Sequence, residues 1–212
     1  MSTYLSPLNP AQRKAAEHIK GPAMVIAGAG SGKTRVLTYR IAHIMAQGVD
    51  AFNILAPTFT NKAAREMRER IASITGEEQV KGLWMGTFHS VFARILRREG
   101  HRMGYPANFT IYDSEDSSKV IASLIKEMQL DKDLYKVRVV SNRISSYKNN
   151  LITVKSYANR GDLQAADSAA RMSKMGDLYQ AYTERCFRAG AMDFDDLLLK
   201  TNELFVRFPE VL

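Results

Sequence analysis

The chain has 212 residues, 45% apolar and 25% charged, a composition that fits a folded globular protein and excludes disordered and membrane-embedded classes. Thirty Lys and Arg against 22 Asp and Glu leave a formal charge of +8, which favours polyanionic partners, nucleic acid above all. The opening Met1-Ser2-Thr3-Tyr4-Leu5-Ser6-Pro7 lacks the pattern of a secretory signal, and the single Cys186 offers neither an internal disulfide nor zinc-like spacing, so a cytoplasmic setting is expected.

In chain order, Met24-Val25-Ile26 reads as a buried strand running into a glycine-rich turn. Val36, Leu37, Ile41, Ile44 and Met45 mark a helix with one apolar face, closed near Gly48. Asn53-Ile54-Leu55-Ala56 is a second strand, followed by a helix with Ala64, Met67, Ile71 and Ile74 on one side. Leu83-Trp84-Met85 is a third strand, and Val91, Phe92, Ile95 and Leu96 open the next helix. Strands alternating with helices imply a parallel sheet covered by helices.

The pattern changes after about Gly104. Phe109-Thr110-Ile111-Tyr112 is extended, and Asp113 is placed to cap a helix carrying Val120, Ile121, Leu124, Ile125 and Met128. Two further helical stripes follow, Val140-Ile144-Tyr147-Leu151 and Met175-Tyr179-Tyr182-Cys186. Residues 109–190 therefore read as a helical subdomain inserted into the α/β unit that begins with residues 1–108. Residues 191–212 read as a return segment, in which Asp193-Phe194-Asp195-Asp196 precedes a helix from Leu197 to Phe205.

The strongest chemical signal is Ala27-Gly28-Ala29-Gly30-Ser31-Gly32-Lys33-Thr34, which has the spacing of a phosphate-binding loop with Ala at the first glycine position. Glycines let backbone N–H groups wrap phosphate oxygens without side-chain clashes. Lys33 supplies a cation to the β- and γ-phosphates of a nucleoside triphosphate, and the Thr34 hydroxyl is the candidate Mg²⁺ ligand. A helix start directly behind the loop adds the positive end of its dipole.

With the loop in place, the flanking segments resemble the superfamily 1 DNA helicases of the UvrD/PcrA/Rep group. Leu8-Asn9-Pro10-Ala11-Gln12 resembles the family's Q motif, which implies that Gln12 reads adenine; the same residues also spell a capping box. Arg35 matches an arginine near the nucleotide base. Thr58-Phe59-Thr60-Asn61-Lys62-Ala63-Ala64 resembles motif Ia, where Phe59 stacks on a base and Thr60 and Asn61 donate to phosphate. Pro57 departs from the family pattern and is expected to end or bulge the strand. Gly86-Thr87-Phe88-His89-Ser90 resembles the next DNA-contacting motif, with Thr87, His89 and Ser90 at a strand-to-helix junction and Phe88 in the core. Asn142 to Leu151 resembles part of the family's inserted helical subdomain, making Lys148 a candidate DNA contact. Asp193 to Leu198 resembles the stretch before the Walker B strand, and its acids read as helix N-terminal residues rather than metal ligands.

The resemblance implies an α/β fold of the P-loop NTPase (RecA-like) type, its parallel sheet incomplete, with the inserted α-helical subdomain. It also implies ATP and Mg²⁺ as cofactors and single-stranded and partly duplex DNA as partners. The chain reaches Leu212 just where the family begins its Walker B strand. It is therefore expected to be an N-terminal piece, lacking its C-terminal part and inactive alone, of a 3′-to-5′ helicase. Two alternatives stay open: a non-catalytic nucleotide-sensing module that binds nucleic acid, and a helicase–nuclease subunit of RecB or AddA type.

Overall fold

The computed structural model describes residues 3–212; Met1 and Ser2, part of the opening stretch read above, lie outside the described residues. Two compact units divide between Val91 and Phe92. Among the described residues no helix is long and apolar enough to cross a membrane.

In the first unit, α1 (Pro10–Glu17) starts on a reciprocal capping box: Asn9 Oδ1 accepts the Gln12 N–H at 2.9 Å, and Gln12 Oε1 accepts the Asn9 N–H at 3.1 Å. Helix α2 (Lys33–Ala46) follows the glycine-rich turn. Strand β1 (Leu55–Thr58) leads to α3 (Asn61–Thr75), and a single turn, α4 (Glu77–Val80), precedes β2 (Trp84–Thr87). The strands pair in parallel from Leu55↔Trp84 to Thr58↔Thr87. Ile41 of α2, Ala64, Met67 and Ile71 of α3, and Ala56 and Met85 of the strands form one core, while Leu37 of the expected α2 face is exposed.

Two expectations change in this unit. Met24-Val25-Ile26 is not a buried strand: the segment is irregular, with Met24 and Ile26 85% and 86% exposed. Among the described residues no strand pairs with it, so its backbone groups have no ladder to enter and no layer covers its side chains. Pro57 does not end β1, which continues to Thr58. Trp84 N–H donates to Ile54 O, and the alternation of a parallel ladder then turns the Pro57 nitrogen towards the open edge, where no donor is needed.

The boundary falls inside α5 (Phe88–Glu99). In the second unit, Ala93 and Leu96 of this helix share a core with Tyr105, Phe109, Met192, Leu197 and Leu204, so the segments on either side of the helical stretch belong together. Strand β3 (Thr110–Tyr112) precedes α6 (Ser114–Glu127), α7 (Val137–Asn149), α8 (Val154–Ala158), α9 (Gly161–Ala169) and α10 (Met175–Arg188). Strand β4 (Ala191–Asp193) and α11 (Phe194–Arg207) close the unit. β3 and β4 pair in parallel, Thr110↔Ala191 to Tyr112↔Asp193, with the five helices between them in sequence. The expected stripes pack together: Ile121, Leu124, Ile125, Val140, Ile144, Tyr147, Met175, Tyr179, Tyr182 and Cys186 form the largest core.

Two buried polar clusters cross that core. Asp167 accepts from Arg143, from Tyr147 OH at 2.5 Å and from Tyr157 OH at 2.7 Å, fixing α9 to α7 and α8. Burial and the Asp167 carboxylate push the Tyr147 phenol up to about 12. In the second cluster, Lys148 Nζ lies 2.7 Å from Asp193 Oδ2 and 2.9 Å from Asp196 Oδ2, with Tyr182 OH donating to the same Asp193 oxygen at 2.8 Å. Burial alone would lower the Lys148 pKa, but Asp196 and Asp193 outweigh it and hold the ammonium charged.

Removing the ammonium leaves two carboxylates in the core with no counter-charge. Lys148→Ala is therefore expected to lower the free energy of unfolding by about 3–5 kcal/mol, read as a fall in the urea midpoint. Arg185→Ala, which breaks the exposed pair with Glu127, should leave that midpoint nearly unchanged.

Candidate nucleotide and nucleic-acid site

The loop from Ala27 to Gly32 is open to solvent and turns on two glycines in the left-handed region, Gly30 (φ 73°) and Gly32 (φ 84°). Gly32 is the N-cap of α2 and so provides no capping side chain, and the first turn of the helix holds no acid. The leading amides of α2 thus keep their partial positive charge. Lys33, the first helical residue, folds back so that its Nζ donates to Ala27 O at 2.8 Å and Gly28 O at 2.6 Å. Ser31 Oγ donates to Gly28 O at 2.6 Å, closing the turn on itself. Thr34 and Arg35 are exposed on the first turn beside Lys33.

Gln12 joins this loop to α1. While Oε1 completes the capping box, Nε2 donates to Ser31 O at 3.0 Å, and a Cβ on Gly32 would sit 2.8 Å from that nitrogen. One carboxamide therefore serves the helix cap and supports the loop, and the capping geometry read from the sequence is present.

The second group gathers where β1 and β2 end. Thr58 and Thr87 are the last register pair, so the segments that follow them leave the same edge of the sheet. Phe59 is 92% exposed and is not a core aromatic; its ring centre lies 5.9 Å from that of Phe88 at a 58° tilt. Phe88, expected in the core, is instead partly exposed beside it, because the helix begins there before its apolar face turns inward at Val91. Thr60 Oγ1 accepts the Ala63 N–H at 3.1 Å as the cap of α3, and Asn61 opens that helix exposed. Thr87 Oγ1 accepts the Ser90 N–H at 3.2 Å, His89 is half-buried, and a Cβ on Gly86 would lie 2.3 Å from Ser90 Oγ. Phe59, Thr60, Asn61, Thr87 and His89 thus share one sheet edge with two helix N-termini, both capped by neutral hydroxyls.

Lys148, expected to face nucleic acid, is 1% exposed and occupied by Asp193 and Asp196. It lies on the stripe of Val140 and Ile144, and that helical phase is the available signal that it points inward. The paired acids of 193–196 are helix N-terminal residues as read: Asp193 caps α11 and forms a capping box with Asp196. Their role as the partners of Lys148 left no mark in local spacing, since 45 residues separate the cation from Asp193. Among the described residues no group of His, Cys, Asp and Glu could hold a metal ion by itself.

An uncapped glycine-to-helix turn headed by Lys-Thr and a parallel-strand edge bearing an exposed aromatic thus both lie in the first unit. Residues 8–212 match the UvrD/REP helicase N-terminal domain, and the chain belongs to that family. It is 42% identical over 214 residues to a protein of Leuconostoc citreum named ATP-dependent DNA helicase PcrA, and 44% identical over 209 residues to one of Bacillus subtilis (strain 168) with the same name. These alignments cover 100% and 98% of this chain but 28% and 27% of the relatives, so the chain spans under a third of their length.

The exposure of Phe59 separates a surface role from a packing role. Phe59→Ala is expected to leave the melting temperature unchanged, whereas Ile71→Ala, in the α3 core, should cost about 2–5 kcal/mol of stability. Thermal denaturation followed by circular dichroism makes the comparison.

Proposed function

We propose that this chain is the ATP-binding and single-strand-contacting front of an ATP-dependent DNA helicase motor, of RecA-like P-loop design. The observation that carries the reading is the start of α2: a glycine-rich turn delivers uncapped amides, a lysine and a threonine to one solvent-open point. Such a set fits a polyphosphate, because backbone donors, a dipole end and an ammonium converge there with no carboxylate in the first turn.

In this reading Ala27, Gly28, Ala29, Gly30, Ser31 and Gly32 wrap the phosphates. Lys33 exchanges the carbonyls of Ala27 and Gly28 for phosphate oxygens, which offer a stronger, charge-assisted partner. The Thr34 hydroxyl would hold Mg²⁺, whose chemistry is to neutralise phosphate charge. Gln12 and Arg35 are assigned to the base, and Gln12 also joins the loop to α1 through Ser31 O. Phe59 stacks on an unpaired base while Thr60, Asn61, Thr87 and His89 position the backbone.

The relatives are named as helicases, which favours strand separation by the whole protein over the nucleotide-sensing and nuclease-bearing alternatives. Coupling of ATP turnover to 3′-to-5′ movement, and opening of partly duplex DNA, are assigned to that whole protein. Its C-terminal part would supply what hydrolysis needs beyond the phosphate cradle.

Two substitutions test the two halves of the site. Lys33→Ala should weaken binding of a fluorescent ATP analogue at least tenfold with an unchanged circular dichroism spectrum; equal affinity would overturn the nucleotide assignment. Phe59→Ala should weaken single-strand binding by about 1–3 kcal/mol with little change in salt slope, since stacking releases few counterions. Undiminished binding would remove Phe59 from the interface.

A further inference from the structure

The cluster that joins α7 to β4 and α11 sets one ammonium against two carboxyl groups, and those two groups are not equivalent. Asp193 receives three donors: Lys148 Nζ at 2.7 Å and Tyr182 OH at 2.8 Å on Oδ2, and the Asp196 N–H at 2.8 Å on Oδ1. Asp196 receives two, both on Oδ2: Lys148 Nζ at 2.9 Å and the Asp193 N–H at 3.2 Å. Its Oδ1 is buried and meets no donor among the described residues. Because Asp196 is 3% exposed, its ionised form would keep a charged oxygen unsatisfied in the core.

The neighbouring groups do not balance the second charge. Tyr179, Tyr182 and Cys186 of α10 and Tyr105 ahead of β3 border the cluster. Burial pushes the three phenols up and the thiol to about 11, so all four stay neutral. Lys200, on the next turn of α11, also acts on Asp196, but Glu203 engages it at 2.6 Å and cancels its charge. Burial acts on both acids, yet with opposite results. At Asp193 the Lys148 ammonium and the three hydrogen bonds outweigh burial and hold the carboxyl below its usual range. At Asp196 burial, helped by the Asp193 charge, prevails over Lys148 and holds the carboxyl above it.

We propose that this cluster binds one proton at neutral pH, carried by Asp196 Oδ1, so that an ammonium, a carboxylate and a neutral carboxylic acid together lock α7 to α11. Folding takes that proton from solvent, since Asp196 is ionised in the unfolded chain at neutral pH. The folded state holds the proton more tightly than the unfolded one. Its contribution to stability is therefore complete below the ordinary value of 3.8 and is lost as pH rises through the folded value. Asp193 runs the other way: its contribution is present above that ordinary value and is lost in acid. The junction is thus a latch that loosens on the alkaline side through Asp196 and on the acid side through Asp193.

Urea unfolding of the 212-residue chain and of Asp196→Asn, whose amide mimics the neutral acid, tests the assignment between about pH 5 and pH 7. The unfolding constant of the unsubstituted chain is expected to rise about tenfold more per pH unit than that of the variant, the signature of one proton taken up on folding. At neutral pH the Asp196→Asn midpoint should be no lower than that of the unsubstituted chain, whereas Asp193→Asn, which removes the counter-charge of Lys148, should lower it. Parallel pH profiles for the chain and Asp196→Asn, or equal losses from the two substitutions, overturn the proposal. Carbon-13 NMR of the aspartate-labelled chain gives a readout that a merely structural role would not move, and it decides the matter if Asp196→Asn fails to fold. One aspartate carboxyl should keep the chemical shift of the protonated acid at neutral pH. A spectrum in which every aspartate is ionised there overturns the proposal.

Discussion

A single buried ammonium fixes the second unit. Lys148, on α7, sits between the carboxylate that ends β4 and the one in the first turn of α11, so one charge joins a helix of the central stretch to the segment that returns from it. Neither carboxylate is tolerable there without the lysine, and the lysine is intolerable without them. The consequence is directional. Hydrophobic packing of Val140, Ile144 and Tyr182 allows α7 to slide or rotate at modest cost, whereas the ion cluster accepts one register only. Tyr182, donating to Asp193, brings α10 into the same constraint.

Both units use one local plan, a short parallel strand pair whose members each run into a helix, but they cap those helices differently. After β1 and β2 the caps are Thr60 and Thr87, hydroxyls that satisfy an N–H without adding charge. After β3 and β4 the caps are Asp113 and Asp193, which satisfy the N–H groups and also cancel the helix dipole. The first edge stays receptive to phosphate, and the second is closed to it.

Elements whose evidence lies within a few residues were legible in the sequence. Most of the faces of α2, α3, α6, α7 and α10, the Asn9–Gln12 box and the Asp113 cap follow from period and spacing, although Leu37 and Leu151 of the expected stripes are exposed and α11 starts at Phe194 rather than Leu197. What failed depended on partners distant in the chain. Met24-Val25-Ile26 has the composition of a strand, but a strand exists only against another, and no described strand adjoins it. Pro57 looked like a terminator until β1 proved to pair on one side only. Lys148 is a candidate DNA contact by resemblance alone, whereas its helical phase puts it with Val140 and Ile144 in the core.

The phosphate loop combines both kinds of information. Its glycines and Lys-Thr ending are local, and the left-handed turns at Gly30 and Gly32 follow from them directly. The link to Gln12 is not local, since 19 residues separate that carboxamide from Ser31. Because Oε1 is held by the Asn9 N–H, the Gln12 side chain has little freedom to move, and Nε2 restrains the loop from the side of α1. Lys33 restrains it from within by tying together the carbonyls of Ala27 and Gly28. The loop is thus held from two sides, from α1 by a carboxamide fixed in the helix cap and from within by the Lys33 ammonium.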